Sequence, residues 1–297
     1  MENVPRETYQ ENPSKEGFFG EKKIALKDYF LTQEEFEIFE DNKTGVLYTL
    51  PQPIETLGKY YESENYISHT DGKKSLFERF YQIAKTINLN NKLNLINSIA
   101  KGKKILDYGC GVGDYLEHMQ KNGYDVLGME PNESARKISQ SKIGQQKVIS
   151  TELEEIQEKF DVITLWHVLE HIPNLNEIIN QLKNHLTENG RLVIAVPNHQ
   201  SYDAAYYGKF WAAYDVPRHL WHFTETSMHK LFGEFGMKIE SVHPMKLDSF
   251  YVSLLSEKYK GNKLGFLNAI RVGIKSNMKA KKTGQYSSLI YIIKAEN

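Results

Sequence analysis

The sequence predicts an α/β protein built on a doubly wound sheet. From Lys103 onward, seven short apolar runs alternate with stretches that repeat apolar residues at helical spacing. Runs such as LVIAV and LIYII are apolar without interruption, as strands are when helices cover both faces of a sheet. A glycine-dense turn, GCGVG, follows the first run and opens a helix.

Ahead of that core, residues 1 to about 23 are charged, carry Pro5, Pro13 and two glycines, and read as a loosely docked arm. Tyr29 to Leu50 turns aromatic, with Phe36, Phe39, Val46, Leu47 and Tyr48, which suits a short strand or hairpin ended by Pro51 and Pro53. Ile54 to Tyr66 and Lys74 to Ile99 have helical spacing; in the second, Leu76, Phe80, Ile83, Ile87, Leu93 and Ile96 recur mostly every three or four positions. Within the core, KKILDYG, YDVLGME, QKVIS, FDVITL and RLVIAVP read as strands, separated by helices over Asp114 to Asn122, Glu133 to Gln140 and Asn176 to Leu186. An irregular aromatic stretch over 197–223, long enough to be a functional loop or lid, precedes a helix over Glu225 to Phe235 and the strand MKIESVHPM. Two helical stretches from Ser249 to Ala280 and the strand SSLIYIIKA complete the pattern.

Composition narrows the class. A chain of 297 residues with 40% hydrophobic and 25% charged residues is globular, large enough for one domain with appendages. The single cysteine, Cys110, excludes an internal disulfide and a cysteine-rich zinc site, and suits a reducing compartment. The polar start and the lack of a bilayer-length apolar run place the protein in the cytoplasm by expectation. A formal net charge of -1 gives no global attraction to nucleic acid.

The chemistry concentrates at the first strand-to-helix turn. In LDYGCGVGDYL, Gly109, Gly111 and Gly113 permit positive φ and a close approach of backbone to a ligand at a helix N-terminus. Seventeen residues past Gly113 the next strand ends in Glu130, where α/β sheets place a carboxylate for ribose hydroxyls. The G-x-G-x-G spacing leaves three readings open: a nicotinamide dinucleotide site, a different nucleoside site, or a tight turn with no ligand. Asp107 tips the choice, because a carboxylate beside the loop repels pyrophosphate and suits an ammonium or sulfonium.

Ile105 to Gly113 resembles the first motif of class I S-adenosylmethionine methyltransferases, and FDVITLWHVLEHIPN resembles their motif after the fourth strand. The resemblance covers roughly Lys103 to Ile239 and implies a Rossmann-like, mostly parallel sheet whose last strand, SSLIYIIKA, runs antiparallel. It also implies roles. Asp107 and the backbone around Gly109, Cys110, Gly111 and Gly113 would hold the methionine moiety; Glu130, followed by Pro131, would hold the ribose. Glu152 and Leu153 would meet the adenine, and Leu165, Trp166 and His167 would close over the cofactor. A non-catalytic cofactor-binding module and an NAD-dependent oxidoreductase remain the competing classes.

His167, Glu170 and His171 spell H-x-x-E-H, an inverted zinc-protease signature. Catalytic zinc needs a further ligand, a base and an open cleft, and the same letters are common in the methyltransferase family after this strand. No metal is therefore expected, and His171 is read as structural or near the acceptor. The stretch GKFWAAYDVPRHLWHFTETSM resembles one that follows the fifth strand in bacterial ubiquinone-biosynthesis and sugar C-methyltransferase types. In it, His219 and His222 are candidate bases, alongside His167, Arg218 is a candidate anchor for an anionic substrate group, and Trp211 a candidate aromatic contact; core packing and a loop-locking ion pair are the plainer alternatives.

TGVLYTLPQPIETLGKYYESENYISH resembles a segment that follows a small zinc ribbon in relatives, here without cysteines. That implies an arm over 1–70 with a degenerate, metal-free ribbon-like segment, and Tyr61, Tyr66 or His69 as lid contacts, joined to a methyltransferase domain over 71–297 with insertions near 198–223 and 249–284. Between Glu257 and Lys282 stand eight Lys or Arg residues. Arg271, Lys275, Lys279 and Lys282 share one helical stripe, and Phe266, Ile270, Ile274 and Met278 another, which suits peripheral contact with an anionic membrane, a grip on a phosphorylated substrate, or a solvated face over a core-facing stripe. The expected reaction is methyl transfer from S-adenosylmethionine to a small-molecule or lipid- or sugar-linked acceptor.

Overall fold

A computed structural model describes residues 17–61, 76–262 and 265–296, with side chains along the first helix described from Lys85 onward. Tyr66 and His69 lie outside the described residues, as do residues 62–66 and 74–75 of the two helical stretches expected before the core. In chain order the elements are β1 (Gly20–Lys27), β2 (Glu35–Asp41), β3 (Leu47–Leu50), α1 (Leu76–Ile99), β4 (Lys104–Tyr108), α2 (Asp114–Lys121), β5 (Asp125–Met129), α3 (Glu133–Ile143) and β6 (Val148–Ile149). There follow β7 (Phe160–Trp166), α4 (Leu175–Asn184), β8 (Leu186–Pro197), α5 (Tyr202–Tyr207), β9 (Trp221–His222), α6 (Glu225–Glu234), β10 (Met237–Pro244), α7 (Asp248–Tyr259), α8 (Gly265–Thr283) and β11 (Ser288–Ala295).

The main sheet has seven strands in the order β10-β11-β8-β7-β4-β5-β6. Pairing is parallel from β8 through β6, and β11 runs antiparallel to both of its neighbours, as the sequence implies. Successive residues alternate between two cores: Leu106, Ile163 and Ile194 bury on one face, Ile105, Val162 and Val193 on the other. Burial on both faces is why these strands read as unbroken apolar runs. The chain leaves β4 toward β5 on one side and returns to β7 on the other, so a crevice opens between the carboxyl ends of β4 and β7.

A second, antiparallel sheet of four strands was not foreseen as such. Its order is β1-β2-β3-β9, so three strands come from the N-terminal region and the fourth from the aromatic stretch after β8. Leu47 pairs with His222 and Tyr48 with Trp221. β1 begins at Gly20, inside what composition marks as a loose arm, because alternation in β2 buries Phe36 and Ile38 against Leu26, Leu47, Tyr60 and Val216. Buried carboxylates hold its turns: Asp28 accepts from the backbone N–H of Thr32 at 2.8 Å, and Asp41 from that of Thr44 at 2.7 Å. Ile54–Tyr60, the described part of the first expected helical stretch together with Tyr61, forms a 3₁₀ helix.

The helical pair α7–α8 also departs from expectation. Phe266, Ile270, Ile274 and Met278 face solvent, and the inward face of α8 is made of Gly265, Ala269, Val272, Gly273, Ser276 and Ala280.

Candidate functional site

The carboxyl ends of β4, β5 and β7 bring the first set of expected residues together. Gly109, Gly111 and Gly113 have φ of +77°, +54° and +77°. A Cβ on Gly109 would strike Val168 and one on Gly113 would strike Ser139, whereas one on Gly111 would meet open space, the direction from which a ligand can approach backbone. Four of the loop N–H groups are already engaged. Gly109 and Cys110 donate to Met129 O at 2.8 and 2.9 Å, Gly111 to Glu130 Oε2 at 2.8 Å, and Gly113 to Cys110 O at 3.1 Å.

What the loop offers instead is carboxylate. Glu130 also accepts from the Asn132 N–H at 2.8 Å, which fixes both oxygens at the end of β5. Asp107 is buried and accepts from Thr164 Oγ1 at 2.5 Å. Burial pushes the Asp107 carboxyl up from its usual range, against the pull of Thr164 and Lys92, and burial pulls the Lys92 ammonium down. Lys92 Nζ stands 3.9 Å over the Trp166 ring. Burial also pushes the Cys110 thiol up to about 12, so Cys110 contributes backbone and packing rather than a nucleophile.

Of the residues expected to cover the cofactor, Trp166 and His167 stand at the end of β7, while Leu165 buries in the main core and can offer only backbone. Leu153 is likewise buried under the end of β5, with Glu152 and Pro131 exposed nearby. His167 adopts φ +57° and bonds Glu170 Oε1 through Nδ1 at 3.3 Å and Asp248 Oδ2 through Nε2 at 3.0 Å. Burial pulls the imidazole down, but the bonds to Asp248 and Glu170 outweigh it and hold His167 up at about 10. His167 is thus an imidazolium at neutral pH, which removes it as a general base.

The H-x-x-E-H letters do not form the metalloprotease arrangement. Leu169–His171 is a single 3₁₀ turn, and His167 and His171 point to different partners instead of sharing a helix face. A different group converges: Glu170, His171 and His219 each present a ligand atom within 4.8 Å of the others. His171 Nδ1 lies 3.0 Å from both Arg218 O and Tyr61 Oη, and His219 Nδ1 lies 2.9 Å from Ala213 O. A carbonyl can only accept, so each Nδ1 carries a proton, and in a neutral ring Nε2 keeps the lone pair. Burial pulls His171 down to about 4, keeping it neutral. Glu170 Oε2 is buried without a hydrogen-bond partner. Glu170 Oε2 and the neutral His171 ring therefore bring acceptor atoms to this cluster.

For three residues of the aromatic stretch the structure favours buried, structural roles, which for Trp211 and Arg218 are the plainer alternatives named above. Arg218 is not a substrate anchor: it is fully buried, bonds Asp28 at 2.8 Å and Asp215 at 2.7 Å, and donates to Tyr60 O at 3.1 Å, tying the small sheet to the loop. Trp211 is core, its Nε1 donating to buried Asp203 at 2.8 Å. His222 is buried against Thr49 Oγ1 at 2.9 Å, and burial pulls it well below its ordinary range, which leaves it no path to an acceptor. Lys92, Thr164 and Asp248 are site residues that sequence reading missed. Thr164 alone carried a signal, being a polar residue two positions from the end of a buried strand.

Comparison with known proteins places the chain in a family. A family model described as a methyltransferase domain matches residues 78–242, more than half of the chain. A ubiquinone biosynthesis O-methyltransferase of Glaesserella parasuis is 35% identical over 148 residues, covering 41% of this chain and 63% of that one. One from Acinetobacter baylyi is 30% identical over 119 residues, covering 36% and 50%. The chain thus spans about half to two thirds of the length of these curated relatives. Among solved structures, the magnesium protoporphyrin IX methyltransferase of Synechocystis PCC 6803 with bound S-adenosylhomocysteine is 15% identical over 82% of this chain and 94% of that one, at a TM-score of 0.49. The chain belongs to the methyltransferase-domain family.

Proposed function

We propose that this family member transfers a methyl group from S-adenosylmethionine to a hydroxyl of a small-molecule acceptor, free or lipid- or sugar-linked, in the cytoplasm. The observation that carries the cofactor half is the occupied glycine loop. A dinucleotide pyrophosphate needs free N–H donors at such a turn, and here Gly109, Cys110, Gly111 and Gly113 already donate within the protein. A ligand bearing an ammonium, a sulfonium and ribose hydroxyls needs acceptors, which Asp107 and Glu130 supply. On this reading Asp107 and the loop hold the methionine moiety, Glu130 the ribose, the segment at Glu152 and Leu153 the adenine, and Trp166 and His167 line the transfer side.

When bound, the cofactor supplies an electrophilic methyl on sulfonium. The protein's work is to align an oxygen with it, exclude water and take the proton. Glu170, His171 and His219 suit that task, since a hydroxyl can donate to an Nε2 lone pair and Glu170 stabilises the resulting imidazolium. The names of the curated relatives, O-methyltransferases, support an oxygen acceptor. A second reading rests on the unpartnered Glu170 Oε2: the same three groups have the ligand types of a divalent cation site that would acidify the hydroxyl. Turnover that resists a chelator excludes it.

Calorimetric titration with S-adenosylmethionine, S-adenosylhomocysteine and NAD tests the cofactor. The two sulfur ligands should bind and NAD should not, and Glu130→Ala should weaken them by roughly 10- to 100-fold. Methyl transfer to a phenol and catechol series should be lost in His219→Gln while S-adenosylhomocysteine affinity stays within about threefold. Preferential NAD binding, or sulfur-ligand binding with no acceptor turned over, sinks the proposal.

A further inference from the structure

We propose that the α7–α8 hairpin docks the protein on an anionic membrane surface. Its helices are built inside out for a soluble protein. α8 turns Gly265, Ala269, Val272, Gly273, Ser276 and Ala280 inward, and α7 buries Ser249, Val252, Ser253 and Ser256, of which Ser249 bonds α8. A Cβ on Gly273 would come within 2.6 Å of the Phe250 ring, so glycine at this position lets α7 seat that ring against α8. Ser249 Oγ donates to Gly273 O at 3.3 Å across that contact, and Ser276 Oγ to Asp203 at 2.6 Å. Packing through small residues, with hydroxyls bonding between elements, is how helices associate where the large side chains face lipid.

Most of the large apolar side chains of α8 lie outward. Phe266, Leu267, Ile270, Ile274 and Met278 are 56, 72, 37, 47 and 62% exposed, and Leu247 and Tyr251 at the start of the hairpin are 42 and 51% exposed. Single exposed apolar residues are ordinary, but seven on one hairpin form a patch that soluble proteins keep for a partner. Phe266, Ile270, Ile274 and Met278 follow one row of four-residue steps, and Arg271, Lys275 and Lys279 follow the next row round the helix. Tyr202 steadies the latter two, with Lys275 Nζ 5.2 Å and Lys279 Nζ 4.3 Å from its ring. Lys281 and Lys282 extend the cationic flank, and α8 has no acidic residue.

An apolar stripe edged by cations fits the boundary between anionic headgroups and acyl chains. Among the described residues no helix is long and apolar enough to cross a membrane, so the hairpin lies in the surface plane. A second copy of the chain fits less well, because a two-fold contact through this face would set the cationic rows side by side. Asp248, the first residue of α7, bonds His167 at 3.0 Å, so docking sets the candidate site at the bilayer edge.

Co-sedimentation of the full chain with vesicles of phosphatidylcholine, alone or mixed with phosphatidylglycerol, tests the proposal without turnover, so its failure is separable from that of the methyl-transfer reading. Binding should require the anionic lipid and weaken with salt. The exposed pair Ile274→Glu and Met278→Glu should lower partitioning at least about tenfold, and Lys281→Gln and Lys282→Gln about fivefold per charge, each with S-adenosylhomocysteine affinity unchanged. Absence of vesicle binding overturns the proposal. So does binding that the lysine changes abolish and the Ile274 and Met278 changes leave intact, which marks a general polyanion contact, or a solution dimer that those two changes dissociate.

Discussion

The cofactor half of the site takes Asp107, the glycine loop, Glu130 and Trp166 from the ends of neighbouring parallel strands, all within residues 107–166. The acceptor half takes Tyr61, His171, His219 and Asp248 from four separate segments, and the ion pair that braces it joins residues 190 positions apart. In the first half the sheet ladder places each group, and a changed side chain there should alter binding more than folding. In the second the geometry exists only if the small sheet, the loop over 197–223 and α7 have docked, so changes there should register in stability and turnover together.

Arg218→Met tests that contrast hardest. Its removal leaves Asp28, with no exposed side-chain surface, facing Asp215 without the cation that binds both. Burial alone would push Asp28 up; the bonds to Arg218 and Thr32 hold it below the usual carboxylate range, so its contribution is present at neutral pH and lost on acidification through that lowered value. Breaking such a pair costs about 3–5 kcal/mol. Urea unfolding should show a loss of that order, and S-adenosylhomocysteine affinity in the still-folded protein should change less than about threefold. A matching loss of cofactor affinity would show that the two halves are one unit.

His167 joins the halves, and its charge gives a pH signature. With its pKa raised to about 10 by Asp248 and Glu170, the imidazolium stabilises the folded state fully below the unfolded value near 6.5 and progressively less as pH rises toward 10. The stability difference between the native chain and His167→Gln should therefore be greatest at pH 6 and shrink steadily by pH 10. A difference that is flat with pH would mean that His167 is neutral and that Asp248 is held by other means.

The same contrast governs what the sequence reveals. The strands of the main sheet, the glycine loop and the Asp107–Glu130 pair were legible because each rests on residues close in sequence, with a periodicity or a backbone requirement that shows in the letters. The small sheet was only half legible: β2 alternates visibly, but β9 is two residues long and pairs with Leu47 and Tyr48 across the chain, which no local pattern announces. Arg218 looked like an anion anchor because burial decides its role, and its partner Asp28 lies in a segment with the composition of a turn. The α8 stripes are legible in the sequence, but which of them faces the core is not. Periodicity tells that two faces differ, and the usual rule sends the large apolar face inward; the run of small residues on the opposite face was the signal that reverses it here.

The finest test of the acceptor half is Trp211→Phe. Buried Asp203 accepts from three donors, Trp211 Nε1 at 2.8 Å, Ser276 Oγ at 2.6 Å and Ser287 Oγ at 2.7 Å, and so ties the loop over 197–223 to α8 and to the start of β11. Phenylalanine keeps most of the buried ring and removes one donor, while two remain to satisfy the carboxylate. The cost should be near 1 kcal/mol, the net worth of one hydrogen bond whose acceptor is not orphaned, read as a melting shift of about 2–4 °C. Cofactor affinity should stay fixed. A shift several times larger would mean that Asp203 depends on all three donors and that the loop, α8 and β11 are set by a single buried charge, in which case the acceptor half is as tightly determined as the cofactor half despite its scattered origin.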